Sequence, residues 1–321
     1  MDYNYLGGTG LNVSRICLGT MNFGSKMAEQ STVDVAIAQA LEAGINFFDT
    51  ADQYADGRSE EMLGQALGSR RNSVVIASKV GYPCMEKKVF SLSRSSIIDG
   101  IEGSLKRLGT DYLDIYYLHS PDYNTPLEES LETLNDVVRQ GKVRYIGMSN
   151  YAAWQMCDAV HICRSSHWAI PVVSETCYNA LTRGAESELI PFLREKKIGM
   201  TVFNPLAGGM LTGKHKRGVP TPGTRFENPN YQKRYWREDN FKAIDELTAL
   251  AANLDTTLLS LSYRWCLSQP WVSSIITGFS SLEQMQVNLK AAEGRLLPAD
   301  ALARCDEIWE SINGGRVQYN R

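Results

Sequence analysis

Past residue 15, short runs of β-branched and aromatic residues alternate with longer segments whose apolar positions recur every three to four residues. The runs 15–18, 47–48, 74–77, 113–118, 143–147, 172–174, 199–202 and 273–276 are apolar on both faces. Continuous apolarity belongs to strands covered on both sides, as in parallel sheets, whereas half-exposed antiparallel strands alternate. Between them the helical period predicts helices over 33–43, 60–67, 97–108, 127–139, 154–164, 186–196, 241–254, 258–268 and 282–292. Ser31 or Thr32 stands where the first would be capped, and Gly68, Gly109 and Gly141 follow helix ends, where a left-handed cap suits glycine.

Residues 1–15 predict a hairpin turning at Gly7-Gly8-Thr9-Gly10. Eight strand–helix units behind a plug-like hairpin predict an α/β protein, a single (β/α)8 TIM barrel domain over 1–321. A doubly wound open sheet is the alternative. Its GxGxxG fingerprint is missing, because Gly19 is followed by Thr-Met-Asn-Phe-Gly. Two stretches break the rhythm. Residues 212–238 are rich in Pro and Gly and carry Phe226, Tyr231, Tyr235 and Trp236 among basic residues, which predicts an unstructured lid. Residues 298–321 predict a final helix and a C-terminal tail.

Composition narrows the function classes. A formal net charge of −3 argues against nucleic-acid binding and against a basic membrane-surface role. No apolar run reaches membrane-spanning length and the first residues lack a signal-peptide pattern, so a cytoplasmic protein is expected. Seven cysteines, an odd number without a CxxC pair, suggest reduced thiols. Cys157 and His161 have helical i,i+4 spacing, but no further ligand accompanies them, so no metal site is expected.

Chemistry gathers at strand ends, where barrels of this kind build their sites. The second barrel strand ends Asn46-Phe47-Phe48-Asp49 and runs on to Tyr54; the third ends at Lys79; the fourth ends at His119. Neighbouring strands lie about 4.8 Å apart, so Asp49, Lys79 and His119 can share one pocket with Tyr54 folded over it. There an ammonium would lower the tyrosine pKa and ease proton transfer. Asp49 would hold the ammonium, and His119 would donate to a developing alkoxide.

The motifs around these residues resemble the aldo-keto reductase superfamily over essentially the whole chain. They include Leu18-Gly19-Thr20-Met21-Asn22-Phe23-Gly24, Asn46-Phe47-Phe48-Asp49-Thr50-Ala51-Asp52-Gln53-Tyr54, Leu105-Lys106-Arg107-Leu108-Gly109-Thr110-Asp111-Tyr112 and Gly147-Met148-Ser149-Asn150. Tyr178-Asn179, Gly209-Met210-Leu211-Thr212-Gly213-Lys214, Gly278 and Asn288 follow in order. The chain is most similar to the bacterial and potassium-channel-β-like branches. The resemblance implies that Asp49, Tyr54, Lys79 and His119 form the catalytic tetrad of an oxidoreductase using NADP(H), with NAD(H) as the alternative.

It also implies a cofactor path across the barrel top. Gly19, Thr20, Met21 and Asp49 would flank it, and Ser149 and Asn150 would bond the carboxamide. Phe203 would stack on the nicotinamide, with Asn204, Leu206, Gly209 and Lys214 near the pyrophosphate. Gly278, Ser280, Gln284 and Asn288 would hold the adenosine end, and Lys214 and Arg225 would supply charge for a 2′-phosphate. Phe23, Tyr82, Tyr235 and Trp236 are the expected substrate contacts. One residue departs from the family: Glu175 stands where members often have Gln, and an ionised Glu beside the ring would favour its oxidised, positive form. The expected partner is a small carbonyl compound or alcohol. A sugar or secondary-alcohol dehydrogenase of the same fold and a nucleotide-sensing channel-type partner stay open, as does a homo-oligomer.

Overall fold

The computed structural model describes residues 1–84 and 89–313. Strands β1 (Tyr3–Tyr5) and β2 (Asn12–Ser14) pair antiparallel ahead of the main sheet. Eight parallel strands then close into a barrel: β3 (Ile16–Gly19), β4 (Phe47–Asp49), β5 (Val75–Val80), β6 (Leu113–Leu118), β7 (Val143–Ser149), β8 (Val173–Cys177), β9 (Gly199–Phe203) and β10 (Ser274–Thr277), which returns to β3. Around it run α1 (Gln30–Glu42), α2 (Arg58–Leu67), α3 (Arg94–Leu108), α4 (Leu127–Arg139), α5 (Ala153–Ser165) and α6 (Leu189–Lys196). The series continues with α7 (Pro229–Tyr235), α8 (Glu238–Asn253), α9 (Leu258–Ser268), α10 (Leu282–Ala292) and α11 (Ala299–Asn313). This is a (β/α)8 TIM barrel behind an N-terminal hairpin, as the alternation predicts. Among the described residues no helix is long and apolar enough to cross a membrane.

Side-chain parity organises the interior. Cys17, Phe47, Val75, Ala77, Ile115, Tyr117 and Val173 pack together inside the barrel. Phe48, Ile76, Val80, Tyr116, Leu118, Ile146 and Met148 alternate with them and pack under the helices. Because β side chains alternate with period two, the odd-numbered residues from 47 on β4, 75 on β5, 115 on β6 and 173 on β8 face inward. The same parity carries inward the residues that end those rows: Asp49, Lys79, His119 and Glu175. Leu6 and Val13 of the hairpin join the inner cluster and close the bottom. Gly7 sits there at φ +58, so near β9 that a Cβ would stand 2.5 Å from the Gly199 nitrogen.

Several sequence expectations change at element boundaries. Helix α1 begins at Gln30 with Glu29 as an N-cap lacking a side-chain bond, so Ser31 and Thr32 lie inside it rather than capping it. Gln30, a good helix former, anchors its amide on the Met62 carbonyl and starts the helix a turn early. Helix α6 starts later than expected, behind a 3-10 turn at Gly184–Glu186, and α8 starts earlier, at Glu238. Residues 212–238 are not structureless: they contain a 3-10 turn, Arg225–Glu227, and α7, whose N-cap Asn228 accepts from the Asn230 amide with Pro229 in the first turn. Phe226 and Tyr235 anchor this segment by burial. The expected tail beyond α11 lies outside the described residues.

Gly64 tests how tightly the helical ring is packed. A Cβ there would fall onto the backbone carbonyl of Leu108 at the end of α3. Alanine gains helix propensity of about 1 kcal/mol, but a clash against backbone has no rotamer to relieve it. Gly64→Ala should lower stability by about 1–3 kcal/mol in denaturant unfolding, and an unchanged or raised midpoint would contradict this packing.

Candidate active site

Lys79 is fully buried near the C-terminal end of β5. Its Nζ donates to Asp49 Oδ1 at 2.5 Å and to the Thr50 carbonyl at 2.9 Å. A second carboxylate, Glu175, brings Oε2 to 3.5 Å from the same nitrogen. The Tyr54 ring centroid lies 5.2 Å from Nζ and that of Tyr117 5.9 Å. The His119 ring sits edge-on to Tyr54 at 6.1 Å and to Tyr82 at 4.9 Å. The residues expected at three successive strand ends therefore do converge.

Tyr54 reaches the cluster through a tight turn. Ala55 (φ 49) and Asp56 (φ 54) are both left-handed, followed by Gly57 at φ 87. For residues other than glycine this region costs about 1–2 kcal/mol each. The segment is held by its surroundings: Ser59 bonds the Thr20 carbonyl and hydroxyl and lies 3.1 Å from the Thr50 hydroxyl. Where Gly57 has no side chain, the Arg107 Cδ packs 2.6 Å from the place a Cβ would occupy.

Burial sets the charge states. It works against the Lys79 ammonium, but Asp49 and Glu175 outweigh it and hold Lys79 charged, well above the ordinary lysine range. Burial raises Asp49, with Lys79 pulling the other way. Glu175 is pushed up to about 8, by burial first and the nearby Asp49 charge second. Burial and then Lys79 push His119 well below the ordinary histidine range, so its imidazole is neutral and carries one N–H donor. For Tyr54 the expectation is corrected. Its ring keeps some exposure at the mouth, yet burial of the hydroxyl raises the pKa above an ordinary phenol, and Lys79 offsets this only in part. Tyr54 is therefore a neutral proton carrier at rest.

The rim residues expected to meet a cofactor form an arc. Ser149 ends β7 opposite Glu175, and Asn150, at φ +65, donates its side-chain amide to the His119 carbonyl and Ser149 hydroxyl. Phe203, half-buried, ends β9. Asn204 (φ 54), Leu206 and Gly209 (φ 109) follow in the turn leading to exposed Lys214. Arg225 donates to Asn204 Oδ1 at 3.3 Å, and its Nη2 lies 3.6 Å from where a Cβ on Gly278 would be. It thus spans the ends of β9 and β10. Ser280 donates to the Gln284 side chain, and the Asn288 amide donates to the Gly278 carbonyl, which orders the start of α10. A half-exposed aromatic, side-chain amides and two cations along one arc fit a flat, anionic cofactor.

Several expected contacts do not reach this surface. Gly19 is packed against Ile276, and Thr20 is buried with its hydroxyl bonded to the Asp49 carbonyl; of the three only Met21 is exposed. Phe23 is buried edge-on to Phe279, so it builds the core rather than the substrate surface. Tyr235 is also buried, with its hydroxyl 3.4 Å from Cys177 Sγ. Trp236 packs on Phe226 and Phe241 and donates to the Gly218 carbonyl. Amphipathic aromatics in a glycine-rich stretch read like binding residues, but here they nail the segment down. Tyr82 is half-buried, its ring edge-on to that of His119. The contact that sequence reasoning missed is Glu175 with Lys79, although the period-two row Val173, Glu175 carries the signal.

A parallel barrel whose C-terminal rim joins a buried ammonium, a phenol and a neutral imidazole has the means to hand a proton to a bound oxygen. The profile of the Aldo/keto reductase family matches residues 15–310, so the chain belongs to this family and is an oxidoreductase acting on carbonyls. It is 38% identical to the "Probable voltage-gated potassium channel subunit beta" of Oryza sativa subsp. japonica, over 91% of this chain and 92% of that one. It is 38% identical to "Aflatoxin B1 aldehyde reductase member 2" of Rattus norvegicus, over 92% and 84%. With the "Uncharacterized oxidoreductase YrpG" of Bacillus subtilis (strain 168), identity is 35% over 91% of each chain.

Removing the ammonium tests the charge assignment. Lys79→Met leaves Asp49 and Glu175 facing each other without a cation, a loss of about 3–5 kcal/mol near neutrality. Both carboxyls then have folded-state pKa values raised further above the unfolded ones. A raised acid contributes stability below its unfolded pKa and loses it as pH rises through the folded pKa. The deficit relative to wild type should therefore shrink from pH 8 to pH 5 in thermal unfolding; an equal deficit at both would disprove the assignment.

Proposed function

We propose that the protein is an NADP(H)-dependent oxidoreductase that interconverts an aldehyde or ketone with the matching alcohol, with Asp49, Tyr54, Lys79 and His119 as its catalytic residues. The observation that carries this reading is the buried Lys79 ammonium, clamped by Asp49 within 5.2 Å of the Tyr54 ring, beside a neutral His119. Bound nicotinamide supplies the hydride for the carbonyl carbon; the chain supplies the proton and the electrostatics.

Tyr54 donates its hydroxyl proton to the carbonyl oxygen, and the phenolate left behind faces Lys79, which offsets the cost of a buried negative charge. Asp49 keeps Lys79 in position and charged. His119 gives its N–H to the same oxygen as negative charge develops there. In the reverse direction Tyr54 acts as the base.

Ser149 and Asn150 would bond the carboxamide, and Phe203 would stack on the ring. Asn204, Leu206 and Gly209 would line the pyrophosphate, and Gly278, Ser280, Gln284 and Asn288 the adenosine. Arg225 and Lys214 are the cations that favour a 2′-phosphate, hence NADP(H) over NAD(H). Tyr82 faces the substrate, a small aldehyde by analogy with the reductase relatives, in a cytoplasmic setting. The second reading is a nucleotide-sensing partner; its partner role takes support from the rice relative, which is a probable channel subunit.

Titration of intrinsic fluorescence with NADPH, NADP+, NADH and NAD+ should give quenching by the phosphorylated pair alone; binding of neither pair would overturn the proposal. Tyr54→Phe should lower kcat for aldehyde reduction by about 10²–10⁴, the usual worth of a general acid, while leaving NADPH affinity within about twofold. Retained turnover would remove Tyr54 from the mechanism, and absent turnover in the wild type would favour the partner role.

A further inference from the structure

The interior of the barrel holds one cation against two carboxylates. Lys79 Nζ lies 2.5 Å from Asp49 and 3.5 Å from Glu175, and Lys79, Asp49 and Glu175 are all buried. Asp49 Oδ2 and Glu175 Oε2 have no hydrogen-bond donor. The groups facing Glu175 come from every nearby wall: Cys17 on β3, Asp49 on β4, Tyr54 from the turn after it, Lys79 on β5 and Tyr117 on β6. Ser149 on β7 and Thr201 on β9, the register partners of Glu175, carry no charge. Burial holds the Cys17 thiol and the Tyr117 hydroxyl neutral. With both carboxylates ionised, the enclosed charge is therefore −1; with one proton between them it is zero.

We propose that Glu175 is a proton site coupled to the oxidation state of the cofactor. It holds its proton beside the reduced, uncharged ring and gives it to solvent when the oxidised, positively charged ring binds. This rests on the nicotinamide reading above. Either way the pocket stays electrically neutral: Asp49 balances Lys79, and Glu175 is protonated when it has no cation to face and ionised when it has one. Location supports the coupling, because Glu175 pairs in register with Ser149 and its carbonyl accepts from the Asn150 amide, the two residues assigned to the carboxamide. The raised pKa of Glu175 puts the exchange within an accessible pH range.

The test is binding, not turnover. Affinities for NADP+ and NADPH are measured from pH 6 to 9.5 on the wild type, Glu175→Gln and Tyr54→Phe. The ratio of NADP+ to NADPH affinity should rise about tenfold per pH unit and level off above the Glu175 pKa, since one proton is released with one ligand only. Titration of the 2′-phosphate occurs in both ligands and cancels in the ratio. Calorimetry at pH 7 in HEPES and in Tris should count about one proton released per NADP+ and none per NADPH. Tyr54→Phe should keep this release and Glu175→Gln should lose it. A ratio independent of pH, no proton release in the wild type, or a release that survives Glu175→Gln would overturn the proposal. Should Glu175→Gln fail to fold, the wild-type proton count and its persistence in Tyr54→Phe still decide. Failure to bind either cofactor strikes the proposed function instead.

Discussion

An ammonium placed in the dry centre of a barrel has to be compensated, and most of the site follows from how Lys79 is compensated. Transfer of an isolated charge from water into such an interior is prohibitive without an opposite charge and hydrogen bonds. Asp49 supplies the charge and the Thr50 carbonyl a second acceptor. Neither could do so from a flexible loop, since a buried pair stabilises only when its geometry is held. Here one partner ends β4 and the other lies on β5, adjacent strands in fixed register. The closed sheet is thus what allows the charge to exist at all. In turn the charge gives Tyr54 and His119 their character: Lys79 tempers the cost of a phenolate and helps keep the imidazole neutral.

The backbone strain at Ala55 and Asp56 belongs to the same logic. A loop leaving β4 would carry Tyr54 out over the rim; two left-handed residues and Gly57 fold the chain back before α2 begins. The Ser59 hydroxyl network and the Arg107 side chain against Gly57 hold that turn. Arg107 is itself paired with buried Glu60, whose other oxygen accepts from Ser78 on β5, next to Lys79. The support of the phenol therefore runs back to the strand that carries the ammonium.

Strand order, helix order and the convergence of Asp49, Tyr54, Lys79 and His119 were legible because each is written in local pattern: period-two rows, helical stripes and ionisable residues at the ends of apolar runs. Charge states were less so. A rule about pairs makes Lys79 lower the Tyr54 pKa, but the sum over the pocket includes burial, Asp49 and Glu175, and it reverses the sign. The period-two row Val173, Glu175 turns Glu175 inward, but it does not say which side chain Glu175 meets across the barrel, from β8 to β5. Residues 212–238 misled for a different reason. Glycine and proline mark a break in the helix–strand rhythm without saying whether the aromatics beside them point out or in, and Phe226 and Tyr235 point in.

The two ends of the rim differ in how they meet charge. At the β9–β10 end, Arg225 and Lys214 are cations, and they suit anionic groups such as phosphates. At the barrel centre a ligand whose charge changes during the reaction would face a fixed field that is right for only one of its two states. A fixed negative charge would trap the oxidised ring, and a fixed neutral amide would leave that ring's charge unanswered. A carboxyl raised to about 8 and linked to Asp49 and Lys79 can follow the change instead, by exchanging a proton with solvent. On the proposed reading, cations for the phosphates and an adjustable acid for a variable cation make one electrostatic design, in which Glu175 is the part that moves charge without moving atoms other than hydrogen.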